Sequence, residues 1–67
     1  MIKLIETRHI FNVKFRSFDF DVTTDADGYV LNIDIITPGF ILTEKFRYDL
    51  IDYVENSVIN QEYDDYL

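Results

Sequence analysis

Carboxylates are the residues of this sequence whose type and spacing could support chemistry. The 67-residue chain has 13 acidic and six basic residues, which gives it a formal net charge of −7. Carboxylates can bind cations, act as general acids or bases, or present a negative surface to a basic partner. The chain has no cysteine and one histidine, His9. Thiolate metal sites and multi-histidine metal sites within one chain are therefore excluded.

The segment from Thr23 to Asp34 has part of the spacing of a calcium-binding loop. Asp25, Asp27 and Gly28 match positions 3, 5 and 6 of an EF-hand loop, and Asp34 falls at position 12. Position 1 is nevertheless Thr23, position 12 normally holds a bidentate glutamate, and both flanks alternate as strands do. The favoured interpretation is a hairpin turn, signalled by the Asp-Gly pair.

His9 is the one candidate for a general base. Its neighbours Arg8 and Ile10 offer no nucleophile and no second catalytic group. The sequence also lacks a phosphate-binding loop, a nucleophile elbow and the spacing of a metal site. We therefore expect a protein that is not an enzyme and that uses neither a cofactor nor a metal.

Asp19, Asp21 and Asp34 are expected to share the solvent face of one β-hairpin. Asp19 and Asp21 would lie about 6.8 Å apart along their strand. With a two-residue hairpin loop, Asp21 lies directly opposite Asp34, where like charges are destabilising. Three interpretations stay open: a solvated face that nearby bases partly neutralise, a weak divalent-metal site, and a negative ridge that binds a partner.

Acidic charge is concentrated in two segments. Residues 17–36 hold five acids and residues 48–67 hold six, and neither segment has a basic residue. Tyrosine, which is enriched at binding hot spots, is mixed with the second group. The predicted partner-binding residues are Asp19, Asp21, Asp34, Asp52, Glu55, Glu62, Tyr63, Asp64 and Asp65. The alternative is a solvated helix face and tail without a binding role.

Hydrophobic alternation predicts the strands that position these carboxylates. Residues 10–22 alternate as a strand, but the pattern slips by one position near Arg16-Ser17. The slip favours a β-bulge, with a break between two strands as the second interpretation. Residues 1–6 are ambiguous, although their apolar side chains could extend the sheet.

A second apolar run follows at residues 29–35, after the Asp-Gly turn. A loop of two residues and a loop of four residues both keep its apolar side chains on one face of the hairpin. The Thr-Pro-Gly sequence at residues 37–39 predicts another turn, followed by a third strand. The apolar residues of this strand would be Phe40, Leu42 and Phe46. Lys45 and Arg47 would lie on its opposite face. In the interpretation of a solvated acidic face, Lys45 or Arg47 would neutralise part of its charge.

A helix is predicted from Asp49, as its N-cap, to about residues 60–62. Asp52 falls at the N3 position, which is the spacing of a capping box. The residues that would cover the sheet lie within an arc of about 100° and are Leu50, Ile51, Val54 and Val58. The sequence therefore predicts a single α+β domain over residues 1–67, with a three- or four-stranded antiparallel sheet and one C-terminal helix packed on one face.

Composition indicates where the protein acts and what it meets. Hydrophobic residues make up 48% of the chain, which argues against disorder. No segment has the roughly 18 apolar residues of a membrane span, and residues 1–6 are too short and too charged for a signal peptide. We therefore expect a cytoplasmic location. Because the net charge repels nucleic acid and anionic membranes, the expected partner is a basic protein surface.

Residues 60–66, Asn-Gln-Glu-Tyr-Asp-Asp-Tyr, resemble the acidic, tyrosine-bearing segment of small phage anti-CRISPR proteins that occupy the nucleic-acid channel of Cas9. The order of antiparallel strands followed by an acidic helix is also similar. The chain departs from that family because it has no clear N-terminal helix and fewer residues after the sheet. The resemblance implies a phage-encoded inhibitor, in the cytoplasm of the host cell, whose carboxylates stand where phosphates would and block a basic channel.

The sequence therefore supports one predicted function and one alternative. The first is an acidic inhibitor of the anti-CRISPR or anti-restriction type, which mimics the negative charge of nucleic acid and blocks a nucleic-acid-binding protein. The second is a non-enzymatic structural or regulatory interaction module, with a homodimer formed through exposed aromatic residues or a sheet edge.

Overall fold

The computed structural model describes residues 1–6 and 9–64. Its strands are β1 (Ile2–Glu6), β2 (Ile10–Phe15), β3 (Phe18–Thr24) and β4 (Val30–Ile35). They form one antiparallel sheet in the order β1-β2-β3-β4, and the helix α1 (Glu44–Ile59) follows and packs against one face. The predicted α+β fold is confirmed, with four strands in the sheet.

The core lies between one face of the sheet and α1. Alternate side chains of a strand point to opposite faces, so one set of alternate residues in each strand points towards the helix. The buried apolar residues are Ile2, Phe11, Val13, Phe20, Val22, Leu50 and Val54. Of the helix residues predicted to cover the sheet, Leu50 and Val54 are buried, and Ile51 and Val58 are half-buried.

The slip in alternation near Arg16 and Ser17 is a hairpin turn, so the predicted bulge is wrong and the second interpretation is correct. Phe15 pairs with Phe18, which leaves two residues in the loop between β2 and β3. Their φ angles are 52° and 70°, as a type I′ turn requires. A bulge and a two-residue turn both displace the alternation by one position, so the pattern alone does not separate them.

The hairpin between β3 and β4 is closed by the Asp25–Tyr29 pair, so its loop is residues 26–28 and lies between the two lengths predicted. The Asp25 N–H donates to the Tyr29 carbonyl at 2.9 Å, and the Gly28 N–H donates to the Asp25 carbonyl at 3.1 Å. Gly28 has a φ of 97°. This is a type I turn followed by a left-handed residue, the usual form of a three-residue hairpin loop.

A β-bulge next to this loop restores the register of the two-residue alternative. The pairing shifts by one between Thr23 and Thr24, because β4 has an extra residue at Leu31. Beyond the bulge, Asp21 lies directly opposite Asp34, as predicted.

The predicted third strand is wrong. Residues 36–43 contain no strand, and Phe46 lies in α1. Phe46 still joins the apolar cluster, with its ring centroid 4.9 Å from that of Phe40. Lys45 and Arg47 are helical residues, so they are not opposite strand neighbours of the acidic hairpin.

The helix begins six residues before the predicted start. Thr43 is the N-cap, and its hydroxyl accepts the Phe46 N–H at 3.3 Å, whereas Asp49 lies inside the helix. Phe46 is four residues before Leu50, so it extends the apolar face of α1. The helix ends at Ile59, close to the predicted end. No described helix is long and apolar enough to cross a membrane.

Candidate functional site

The face of the sheet that points away from α1 carries a gradient of charge, and we call it the open face. Strand pairing aligns Lys3, Asn12, Asp21 and Asp34 in one row across all four strands. Lys14 and Asp19 form a second row on β2 and β3. Positive charge therefore lies towards β1 and β2, and negative charge lies on β3 and β4.

Asn12 holds two carboxylates of the open face together. Its Nδ2 lies 2.8 Å from Asp19 Oδ1 and 3.2 Å from Asp21 Oδ1. It also lies 3.3 Å from the Phe20 carbonyl oxygen. One amide group thus orients two acidic side chains that strand geometry alone would leave free to rotate.

Other contacts of Asp19 are weaker or come from the main chain. Lys14 Nζ lies 3.5 Å from Asp19 Oδ2, and the Lys14 side chain is 59% exposed. An exposed ion pair of this kind contributes little to stability. The Asp19 N–H donates to Thr37 Oγ1 at 2.7 Å, which ties the segment after β4 back to β3. The predicted partial neutralisation of the acids therefore comes from Lys14, not from Lys45 or Arg47.

The predicted acids of the helix do not join the open face, because α1 covers the opposite side of the sheet. Glu55 is half-buried, and its carboxylate accepts the Val30 N–H at 2.9 Å, so it anchors the helix to β4. Asp52 is exposed and accepts a hydrogen bond from Asn56 Nδ2 at 3.2 Å. These two residues have different roles although both were predicted as partner contacts.

The predicted C-terminal residues mainly complete the fold. Tyr63 is half-buried and packs edge-on against Phe11, with ring centroids 5.1 Å apart. Asp64 pairs in parallel with Lys3 through its main chain and leaves its side chain exposed. Glu62 is exposed, and its N–H donates to the Ser57 carbonyl at 2.7 Å. Asp65 lies outside the described residues.

The acids of the β3–β4 loop build the turn. Asp25 Oδ1 accepts the N–H groups of Asp27 and Tyr29, at 2.9 Å and 3.0 Å. The hairpin interpretation of this segment is therefore confirmed. The loop borders a cleft of about 220 Å³ that His9 and Tyr63 also line. Among residues 1–6 and 9–64, no three or more histidine, aspartate or glutamate side chains are grouped to hold a metal ion.

Sequence reasoning missed Asn12 as a part of the acidic surface. An asparagine on the outer side of a strand carries no local signal, and its position opposite Asp21 depends on the register between β2 and β3. That register follows from the two-residue turn at Arg16 and Ser17, which places Asn12 beside the acids.

Comparison with known proteins identifies no relative. No protein-family model matches the chain, and the searches of curated proteins and of solved structures found no match. Function is therefore inferred from the chain's own residues and their geometry.

Proposed function

We propose that this protein is a non-enzymatic inhibitor that binds the basic surface of a nucleic-acid-binding protein by negative-charge mimicry. The observation that carries the proposal is the set of three carboxylates on the open face. Asn12 orients Asp19 and Asp21, and Asp34 lies opposite Asp21 on the neighbouring strand. The inhibitors that such a surface resembles are those of the anti-CRISPR and anti-restriction type.

Orientation of the carboxylates favours binding over simple solvation. A side chain that is already held in place loses less conformational entropy when a partner binds it. The amide of Asn12 supplies this restraint for both acids of β3. An array of lysine and arginine that normally neutralises phosphates could therefore meet carboxylates at defined positions.

The pairing of Asp21 with Asp34 also supports a binding role. Like charges directly opposite each other on neighbouring strands destabilise a sheet. A solvated face has no need of this arrangement, since asparagine or threonine at either position would avoid the repulsion. Binding of a basic surface would relieve the repulsion, so part of the binding free energy would come from the partner's neutralisation of this pair.

The proposed contact surface is narrower than the set of acids in the sequence. Glu55, Tyr63 and the main chain of Asp64 are engaged within the fold. Asp52 and Glu62 are exposed but lie apart from the open face, so we assign them to steering of the approach. Direct contact is assigned to Asp19, Asp21 and Asp34.

The proposal is tested by capture of partners from a bacterial lysate with three tagged proteins. These are the wild type, the double variant Asp21→Asn with Asp34→Asn, and a control with Asp27→Asn and Glu44→Gln. Both double variants remove the same amount of negative charge, but the control acids lie in the β3–β4 loop and the first turn of α1. Proteins are eluted by a step to high salt and identified by mass spectrometry.

Mimicry predicts that the wild type and the control retain a DNA- or RNA-binding protein that elutes with salt, and that the open-face variant loses it. The salt dependence follows from the screening of charge pairs at the contact. Equal capture by the two double variants would remove the open face from the mechanism. Failure of the wild type to retain any nucleic-acid-binding protein would refute the proposed function.

A further inference from the structure

The two edges of the sheet differ in whether their main-chain groups are paired. At β1, the Leu4 N–H donates to the Asp64 carbonyl at 2.9 Å, and the Asp64 N–H donates to the Ile2 carbonyl at 3.0 Å. The C-terminal segment therefore covers the middle of this edge. No described strand pairs with the outer side of β4, which is the last strand in the sheet order.

The register shows which groups of β4 point outwards. The Ile36 N–H donates to the Asp19 carbonyl at 2.9 Å. Hydrogen-bonded pairs recur at every second residue of an antiparallel ladder, so Asp34 and Asn32 also direct their main-chain groups towards β3. The N–H and C=O groups of Ile33 and Ile35 consequently point to the free edge.

Apolar side chains lie along the same edge. Leu31 is 66% exposed, Ile35 41% and Ile36 47%. A groove of about 170 Å³ runs beside the edge, lined in part by Ile33, Leu42 and Arg47. A domain of this length is only marginally stable alone, and oligomerisation is one of the usual reinforcements.

We propose that the occupant of this edge is a second copy of the same chain, paired antiparallel through β4 about a twofold axis at Ile33. In this register, Ile33 faces Ile33 of the second copy and exchanges both main-chain hydrogen bonds with it. Asn32 then lies opposite Asp34 of the second copy, in a non-hydrogen-bonded pair where side chains approach closely. Leu31 meets Ile35 of the second copy, so apolar residues also face each other.

Repulsion between two Asp34 carboxylates disfavours the register that is shifted towards the end of β4. A shift that centres the axis on Asp34 would place this carboxylate opposite its own copy, at the shortest cross-strand spacing. The register centred on Ile33 replaces that repulsion by two amide–carboxylate pairs. Both pairs involve residues that are exposed in the single chain.

The ends of the free edge exclude larger shifts. The Glu55 carboxylate already occupies the Val30 N–H at 2.9 Å, so a partner strand cannot use that donor. At the other end, β4 stops at Ile35 and Pro38 follows shortly after. The available ladder therefore runs from residue 31 to residue 35, which is the span centred on Ile33.

The pairing also closes the assembly. Because Asp64 covers the middle of the edge at β1, that edge is not free to pair as β4 does, and the dimer should not extend into a fibre. The product is one eight-stranded sheet, four strands from each copy. Its two open faces adjoin at Asp34, which lengthens the negative surface without being required by the mimicry proposed above.

Sedimentation velocity over a wide range of protein concentration tests this pairing. Asn32→Lys places a cation opposite Asp34 of the second copy and should tighten the dimer, whereas Asn32→Asp places two acids together and should weaken it. Each variant changes two symmetric pairs, so the dissociation constant should shift roughly 2- to 30-fold in each direction. The charge-matched controls are Asn56→Lys and Asn56→Asp, on the exposed side of α1.

Added salt gives an independent readout. Each copy carries a net charge of −7, so salt should strengthen self-association by screening repulsion between the copies, whereas it should weaken binding of a basic target. A chain that stays monomeric at every concentration would overturn the pairing. Equal shifts in the dissociation constant for the Asn32 and Asn56 variants would also overturn it, because the dimer would then form through another surface.

Discussion

The two faces of the sheet are built from the same strands and carry opposite physical roles. The covered face contributes Phe11, Val13, Phe20 and Val22, all 1% exposed or less. The open face contributes the row from Lys3 to Asp34, which holds polar and charged side chains. Stability is concentrated on the first face, so the second can carry carboxylates that repel one another. This difference predicts that substitutions on the covered face lower the free energy of unfolding, whereas removal of a carboxylate from the open face does not lower it.

The largest effect is expected at the covered face. Phe20→Ala should lower the free energy of unfolding by about 3–5 kcal/mol, because it removes a fully buried ring and leaves a cavity. Urea unfolding followed by circular dichroism measures the loss. The neighbouring Asp21→Asn, on the open face, is the matched control and should not destabilise the protein. Comparable losses at the two positions would contradict the division between the faces.

A smaller loss of unfolding free energy is expected at Glu55, which was predicted to contact a partner but anchors α1 to β4. Glu55→Ala leaves the Val30 N–H without its carboxylate acceptor and should cost about 1.5–3 kcal/mol in the same unfolding measurement. Glu55→Gln keeps an acceptor oxygen and should cost less. If Glu55→Ala leaves the free energy of unfolding unchanged, the Glu55 carboxylate does not anchor α1 to β4.

Substitution of Asn12 is expected to lower the free energy of unfolding by less than Glu55→Ala does, and the loss should depend on salt. Asn12→Ala removes the donor shared by Asp19 and Asp21 and should cost about 1–2 kcal/mol at low ionic strength. Part of this cost is repulsion between the released carboxylates, so added salt should recover part of it. Asn56→Ala, which removes a donor from a single exposed acid, provides the comparison. A salt-independent loss at Asn12 would show that orientation of the carboxylates is not its role.

The smallest predicted effect is a gain in the free energy of unfolding instead of a loss. Asp34→Asn removes the like charge opposite Asp21 and should stabilise the protein by about 0.2–1 kcal/mol. The gain should fade at high salt because the repulsion is exposed and screened. Thermal unfolding at two salt concentrations measures it, with Asp27→Asn as a control of equal charge. Destabilisation by Asp34→Asn would mean that this carboxylate supports the fold.

Local patterns predicted the parts of the fold that depend on neighbouring residues. The alternation identified residues 10–22 and 29–35 as extended, although it did not separate β2 from β3, and the Asp-Gly pair identified the second hairpin. Phe46 was wrongly assigned to a strand, because Phe40, Leu42 and Phe46 have even spacing and continue a strand pattern as well as they fit a loop and a helix. The tertiary contact of Phe46 with the other rings decides between these alternatives.

The candidate site was predicted only in part, for a related reason. The alternation of β3 and β4 placed Asp19, Asp21 and Asp34 on one face without any long-range information. The role of Asn12 required the pairing of β2 with β3, and the separate role of Glu55 required the distance from α1 to β4. Residues with the same charge therefore differ in function according to contacts that are remote in sequence.

By itself, the sequence determined the charge of this protein, the period of its strands and the apolar arc of its helix, because each is set by residue type and local spacing. Only the tertiary structure decided which acids stay at the surface and which edge of the sheet stays open. Tyr63 and Asp64 illustrate the difference, since an acidic, aromatic segment became the cover of β1 through contacts with Phe11 and Ile2. Such contacts join opposite ends of the chain, and local propensity carries no information about them.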